Sequence, residues 1–128
     1  MSASDHLSPD QFVIPHSELE NTFSGLREEY VSETAAKHYE RQPRYMAALE
    51  RHIRRHGIVY PAEVDARGQL QEGHHRASVA YKLGLDLPAV REGSQDHSES
   101  GYRADTDAWH AKHWKLEEEP RLRNAGVR

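Results

Sequence analysis

Hydrophobic residues in the first third of the chain fall into two short groups with different spacing. The apolar run F-V-I at positions 12–14 stands directly before Pro15, which predicts a short strand that ends at the proline. Between residues 26 and 39 apolar positions recur at helical spacing, and Pro43 interrupts the pattern. The pattern therefore predicts a strand followed by a helix.

A clearer helical pattern comes next. Met46, Leu49, Ile53 and His56 are spaced at i, i+3, i+7 and i+10, so they share one face of a helix. Gly57 follows as a residue that can end the helix in a left-handed conformation. We expect this helix to pack its apolar stripe on the core.

The following segment has the features of a hairpin. Residues 58–64 read as a strand in which Pro61 favours an edge or a bulge, and residues 65–68 read as a turn. Residues 69–71 then form a short returning strand. An exposed turn carboxylate is the expected role of Asp65.

After the hairpin the pattern returns to a helix and a last strand. Gly73 permits a sharp turn into a helix predicted over His74 to Leu83, and Gly84 ends that helix. Residues 87–90 form a final apolar strand. Short links between these elements predict an α+β unit.

The distribution of residue types along the chain predicts how it divides into a domain, a linker and a tail. We predict one domain over residues 1–90 with a core module at 43–90, a polar linker at 91–104, and a C-terminal helix with a charged tail at 105–128. The run of glutamates at 117–119 is interpreted as solvated tail. Cysteine is absent, which excludes disulfides, thiolate metal sites and cysteine nucleophiles. No segment has the pattern of a signal peptide or a membrane span, so we expect a cytoplasmic protein.

Charge is unevenly distributed along the chain. The net charge is −4, but the segment 41–91 carries nine Lys/Arg against five Asp/Glu, while the remaining residues carry eight against sixteen. A basic module in an acidic chain suits an anionic ligand. A solvated, arginine-rich helix face explains the same charges equally well.

The stretch G-H-H-R, residues Gly73, His74, His75 and Arg76, has the chemistry of a phosphate site. A glycine lets backbone N–H groups approach a ligand, and the start of a helix favours an anion. Arg76 offers a planar set of donors, and His74 and His75 can donate hydrogen bonds or move protons near neutral pH. A capped helix whose arginine makes an internal ion pair is the alternative.

Residues 45–90 resemble the ParB/sulfiredoxin-like superfamily. Matching features, in order, are a helix ending in H-G-I, a proline-bearing strand, a turn to a second strand, the G-H-H-R loop, a helix ending in L-G, and a strand with a proline. The short stand-alone ParB-like proteins with a D-G-H-H-R box, often described as nucleases and common in bacteriophages, are the most similar group; here Glu72 replaces the aspartate. The resemblance implies a small mixed sheet packed with helices.

What the resemblance implies about function is phosphate binding by Gly73, His74, His75 and Arg76. It favours a nuclease or a nucleotide hydrolase, in which His74 or Glu72 manages a proton. Any cofactor is expected to be Mg²⁺ carried by a bound nucleotide such as ATP or CTP. Sulfiredoxin chemistry is excluded because His74 stands where that group has its cysteine.

Two other classes of function remain open. A non-catalytic interaction protein, such as a phage factor that binds a host protein, would use the Trp-containing helix at 105–116. DNA binding without cleavage is the third hypothesis.

His52 and His56 lie four residues apart on the second predicted helix, a spacing that metal ligands use. Partly buried, hydrogen-bonded histidines on the apolar stripe are the favoured interpretation, so no metal site is predicted.

Overall fold

The computed structural model describes residues 11–25, 27–92 and 109–117. The strands are β1 (Gln11–Ile14), β2 (Phe23–Ser24), β3 (Glu29–Tyr30), β4 (Ala62–Val64), β5 (Leu70–Glu72) and β6 (Leu87–Arg91). The helices are α1 (His16–Leu19), α2 (Val31–Arg41), α3 (Pro43–His56), α4 (His74–Leu83) and a C-terminal helix, α5, at 109–117. None of the described helices has the length and apolar character that a bilayer crossing requires.

The strands form one mixed sheet in the order β1-β6-β4-β5-β2-β3. β4 and β5 are an antiparallel hairpin, whereas β4 pairs with β6 and β5 pairs with β2 in parallel. Since α4 connects β5 to β6 across β4, the start of this helix lies near the middle of the sheet. An α+β fold with a small mixed sheet is therefore confirmed, while membership of a ParB-like fold stays a prediction.

The two predicted helices around the hairpin are confirmed. α3 begins with Pro43 at its first position and ends at Gly57, whose φ of +77° suits glycine. α4 begins after Gly73 and ends at Gly84, as predicted. Proline and glycine mark helix ends reliably because they restrict or widen backbone geometry locally.

The helix predicted over residues 26–39 is wrong in its first half. Phe23 pairs with Tyr30 and Ser24 pairs with Glu29, so this part of the chain forms the β2–β3 hairpin before α2 begins at Val31. Two-residue strands are too short to show alternation, and their pairing comes from tertiary contacts rather than local propensity.

The first strand of the β4–β5 hairpin is shorter than the predicted 58–64. Only Ala62–Val64 pair as a strand, and the chain before it instead buries Tyr60. The hairpin turn is as predicted: Asp65 Oδ1 accepts hydrogen bonds from the backbone N–H groups of Arg67 and Gln69, both at 2.9 Å. Asp65 thus stabilises the turn rather than simply facing water.

Two groups of buried side chains form the core. The first joins the sheet to α4 and α1, and its members are Ile14, Leu19, Val31, Ala62, Val64, Leu70, Ala77, Ala80, Leu87 and Ala89. The second joins α3 to α4 and α5, and its members are Tyr45, Met46, Ala48, Leu49, Ile53, Val79 and Trp109. α5 is therefore packed on the core; the start of the predicted 105–116 helix and most of the predicted linker lie outside the described residues.

Candidate functional site at the start of α4

Gly73 is the residue on which the entry to α4 depends. Its φ and ψ of 95° and 28° are left-handed. A Cβ at this position would lie 2.7 Å from the Cβ of Ala62 and 2.7 Å from a terminal nitrogen of Arg76. Glycine is therefore required twice, for its backbone conformation and for its lack of a side chain.

Arg76 lies behind this turn rather than on the surface. Its side chain is 1% exposed, and the guanidinium carbon stands 4.3 Å from the centroid of the Tyr60 ring. One terminal nitrogen packs against Gly73. A stacked, enclosed guanidinium holds its charge near the first turn of α4 but does not present it openly to solvent.

Two carboxylates lie opposite each other on β4 and β5, next to the turn at Gly73. Glu63 and Glu72 are cross-strand partners on β4 and β5, with a register shift next to the pair. Glu63 is 4% exposed and Glu72 is half-buried. Like charges directly opposite each other are unfavourable, so a cation close to the pair would stabilise it. Glu72 is next in sequence to Gly73, against which a terminal nitrogen of Arg76 packs.

His74 is held by a residue that the sequence pattern did not indicate. Its Nε2 lies 2.6 Å from Ser24 Oγ, and both side chains are buried. Ser24 Oγ also accepts a hydrogen bond of 3.0 Å from the backbone N–H of Arg27. The result is a close serine–histidine pair joining β2 to the first residue of α4. Fifty residues separate the partners, so local pattern carries no signal for it.

His75 points to the other side, toward α2 and α3. Its Nε2 donates to Gln42 Oε1 at 3.0 Å, since an amide oxygen can only accept. Its ring centroid lies 4.5 Å from that of His38 and 4.8 Å from that of Tyr45. His75 is half-buried and remains the most accessible of the side chains in the G-H-H-R box.

Ser78, one turn after His74 on α4, faces the interior of the molecule. It is fully buried and donates to the carbonyl oxygen of His74 at 2.8 Å. His38 Nδ1 lies 2.7 Å from the same hydroxyl oxygen. Because a serine hydroxyl has one proton, His38 Nδ1 must supply the proton of the second hydrogen bond. This pair holds α2 against the first turn of α4.

Lys82 faces solvent in part. Its ammonium group lies 2.8 Å from Glu50 and 4.4 Å from the centroid of the Tyr39 ring, so it joins α4 to α3 and α2. It is on the last turn of α4 and takes no part in the candidate site.

One of the two histidines near the end of α3 is more exposed than expected. His52 is half-buried, as expected, but His56 is exposed because it lies on the last turn, beyond the core. Burial, followed by the positive charges of His56 and His113, lowers the pKa of His52. Within the described ranges no three His, Cys, Asp or Glu side chains converge as metal ligands do.

The structure brings together the predicted residues Glu72, Gly73, His74 and Arg76, and places His75 on their flank. It adds Ser24 and Tyr60, which sequence reasoning did not connect to the site, and it places Glu63 opposite Glu72. The start of α4 carries the positive end of the helix dipole, so it is the anion-favouring end of this arrangement.

Comparison with known proteins found no matching family model, no related curated protein and no similar solved structure. The site is therefore interpreted from its own geometry and from the resemblance of its motif.

Proposed function

We propose that the start of α4 binds a phosphate group of a nucleotide or nucleic acid, and that the protein is an enzyme that cleaves phosphoester or phosphoanhydride bonds. The observation that carries the proposal is the turn at Gly73. A left-handed glycine opens the helix while a buried guanidinium lies directly behind it. Helix dipole and cation thus favour an anion at the same point.

Each residue has a distinct task in this proposal. The backbone N–H groups that follow Gly73 contact the phosphate, and His75 approaches it from the accessible flank. Arg76 contributes positive charge from behind the turn. His74 transfers a proton, and Ser24 holds its ring by the 2.6 Å hydrogen bond. Glu72 is the alternative base.

The described side chains do not by themselves form a magnesium site, because no three ligands converge. Glu63 and Glu72 offer a pair of hard oxygen donors at most. In this proposal Mg²⁺ arrives with a nucleotide such as ATP or CTP, and it would neutralise charge on the phosphates.

Ligand binding is tested by thermal unfolding with a panel of nucleotides and short DNA. A ligand at about one hundred times its Kd stabilises the native state by about 2.7 kcal/mol. We expect His75→Gln to reduce this gain by at least about 1.4 kcal/mol, which is a tenfold loss of affinity. His16→Gln is the matched control, since His16 lies on α1 and bonds the carbonyl oxygen of Tyr81.

Catalysis is tested by hydrolysis assays on the same ligands with Mg²⁺ or Mn²⁺. We expect turnover in the wild type and a loss of about 10² or more in His74→Gln. Binding without turnover would refute the enzyme and leave a binding module; salt-dependent DNA affinity without cleavage would identify that module as DNA-binding. No stabilisation by any ligand would refute the site itself.

The interaction-protein hypothesis relied on the aromatic side chains of the C-terminal helix. In the structure Trp109 is 9% exposed and Trp114 is half-buried, because α5 packs on α3. The surface proposed for a partner is thus used inside the molecule, and no described feature favours this hypothesis over phosphate binding.

A further inference from the structure

Histidines are concentrated where α5 packs on the rest of the chain. Five of the ten histidines lie in this contact or directly next to it, and we call the group the histidine seam. Its members are His38 on α2, His52 on α3, His75 on α4, and His110 and His113 on α5.

At the centre of the seam lies Tyr45, whose side chain is fully buried. Its ring centroid is 5.0 Å from that of His110 and 5.5 Å from each tryptophan ring of α5, Trp109 and Trp114. His110 Nδ1 lies 3.1 Å from the tyrosine hydroxyl. The docking of α5 therefore rests on aromatic packing around one tyrosine.

Three imidazole rings follow one another through the seam from α2 to α5. The His38 and His75 centroids are 4.5 Å apart, and the His75 and His110 centroids are 5.8 Å apart with the rings nearly parallel. Two positive charges at such distances repel strongly where water is largely excluded. The contact between α4 and α5 is thus compatible with neutral rings and opposed by charged ones.

At the other end of the seam, two further histidines pack against an aromatic ring of α5. His52 packs edge-on against Trp109 at 6.1 Å, and His113 stacks on the same indole at 3.7 Å. Burial is the largest cause of the lowered pKa of His52, and the charge of His113 across the contact is another. Protonation of His52 is therefore easier when α5 is away.

The other charged groups around the seam are one carboxylate of α5 and several exposed basic side chains. Glu117 of α5 accepts a hydrogen bond from the backbone N–H of Tyr45, which places a carboxylate at the start of α3. Glu50 and Arg54 lie on the other side of α3, by the 3.6-residue repeat. Arg44, Arg51, Arg55, Lys112 and Lys115 are exposed around it.

Stacking within α5 does not change the difference in free energy between the docked and the separated helix. His110 stacks on Trp114 and His113 on Trp109, both four residues apart on the same helix. A charged imidazole gains from an indole face in the docked helix and also in a separated helix. Only contacts between α5 and the other helices distinguish the two states.

We propose that the histidine seam makes docking of α5 dependent on pH: α5 is packed on α3 and α4 while the seam is neutral and separates as its rings become protonated. This inference does not rest on the proposed phosphate chemistry. Separation would uncover Tyr45 and the flank of His75, so the seam would also control access to one side of the candidate site.

The direction of the effect follows from proton linkage. A histidine whose pKa is lowered in the docked state binds fewer protons there than in the separated state. Its contribution to docking is complete above the ordinary histidine pKa of about 6.5 and is lost as the pH falls below it. Undocking is therefore expected as the pH falls below about 6.5.

Tryptophan fluorescence reports on this helix alone, because both tryptophans of the chain, Trp109 and Trp114, lie on α5. We expect the emission to shift to longer wavelength between pH 8 and 5. Far-UV circular dichroism, which follows the remaining helices and the sheet, should stay close to its value at pH 8. An emission spectrum that does not change over this range would overturn the proposal.

The double variant His52→Gln/His110→Gln tests whether the seam is responsible. We expect its fluorescence midpoint to fall by at least about one pH unit, whereas His16→Gln, on α1, should leave the midpoint unchanged. A midpoint that is the same in the double variant and the wild type would count against the seam.

A measurement on the wild type covers the case in which the double variant does not fold. NMR titration of the imidazole ring protons gives each histidine its own pKa. We expect the His52 ring to titrate below about 6.5, and the shift to coincide with the fluorescence change. If every seam histidine titrates at or above that value, the proposal is wrong. Nucleotide binding is measured separately at pH 8, so its failure would not be mistaken for this one.

Discussion

Gly73 shows most directly how one residue shapes the candidate site. Its φ of +95° alone would be costly for another residue, and the space for a side chain is already filled by Ala62 and Arg76. Gly84, at the other end of α4, has a similar φ of +73° but no heavy atom within 4 Å of an added Cβ. Comparing substitutions at the two glycines therefore distinguishes the cost of backbone strain from the cost of steric crowding.

We predict that Gly73→Ala lowers the free energy of unfolding by at least about 3 kcal/mol, because strain and overlap add. Gly84→Ala should cost only about 1 kcal/mol, from strain alone. Urea unfolding at pH 7 measures both values. Equal losses for the two variants would mean that Arg76 and Ala62 move aside at little cost.

Among the elements, Glu50 connects three helices. Its carboxylate accepts hydrogen bonds from Tyr39 of α2 at 2.9 Å and Lys82 of α4 at 2.8 Å, and pairs with Arg54 of α3 at 3.1 Å. Burial raises its pKa, but the hydrogen bonds from Lys82, Tyr39 and Arg54 outweigh burial, so the pKa of Glu50 is lowered overall. The ionised form is thus favoured by the fold.

We predict that Glu50→Gln lowers the free energy of unfolding by about 1 kcal/mol at pH 7. A carboxyl group with a lowered pKa contributes stability above its ordinary pKa, and this is lost as the pH falls through the folded-state value. The difference between wild type and variant should therefore shrink below about pH 4.5. Glu40→Gln, an exposed change on α2, is the control and should show no difference at either pH.

Over the whole molecule, the main question is whether α5 belongs to the same cooperative unit as the sheet. Trp109 is 9% exposed and is part of the core group around Tyr45 and Met46. Removing a buried indole leaves a large cavity in that group. The glutamate at 117, expected to be solvated tail, instead contacts the start of α3.

We predict that Trp109→Ala lowers the free energy of unfolding at pH 8 by roughly 3–5 kcal/mol. Lys112→Ala, on the exposed side of the same helix, should change it by less than about 0.5 kcal/mol. Chemical denaturation followed by far-UV circular dichroism measures both. A small effect of Trp109→Ala would show that docking of α5 at pH 8 contributes little to the stability of the molecule.

Much of this protein could be predicted from the sequence where the determining interactions are local. Proline and glycine limited α3 and α4 to the correct residues, because their backbone restrictions act within one turn. The position of the G-H-H-R box at the start of α4 could be predicted for the same reason. The β2–β3 hairpin was not, since its two-residue strands are formed by pairing with β5 and not by their own propensity.

Only the tertiary structure decided which side chains surround the G-H-H-R box. Ser24 meets His74 across fifty residues, Tyr60 and Gly73 enclose Arg76, and His110 reaches Tyr45 from the C-terminal helix. Such contacts depend on packing between distant elements, for which periodicity and local propensity carry no information. The sequence by itself determined where a helix begins with an anion-favouring turn; packing determined which side chains are buried behind it and which histidines hold α5 beside it.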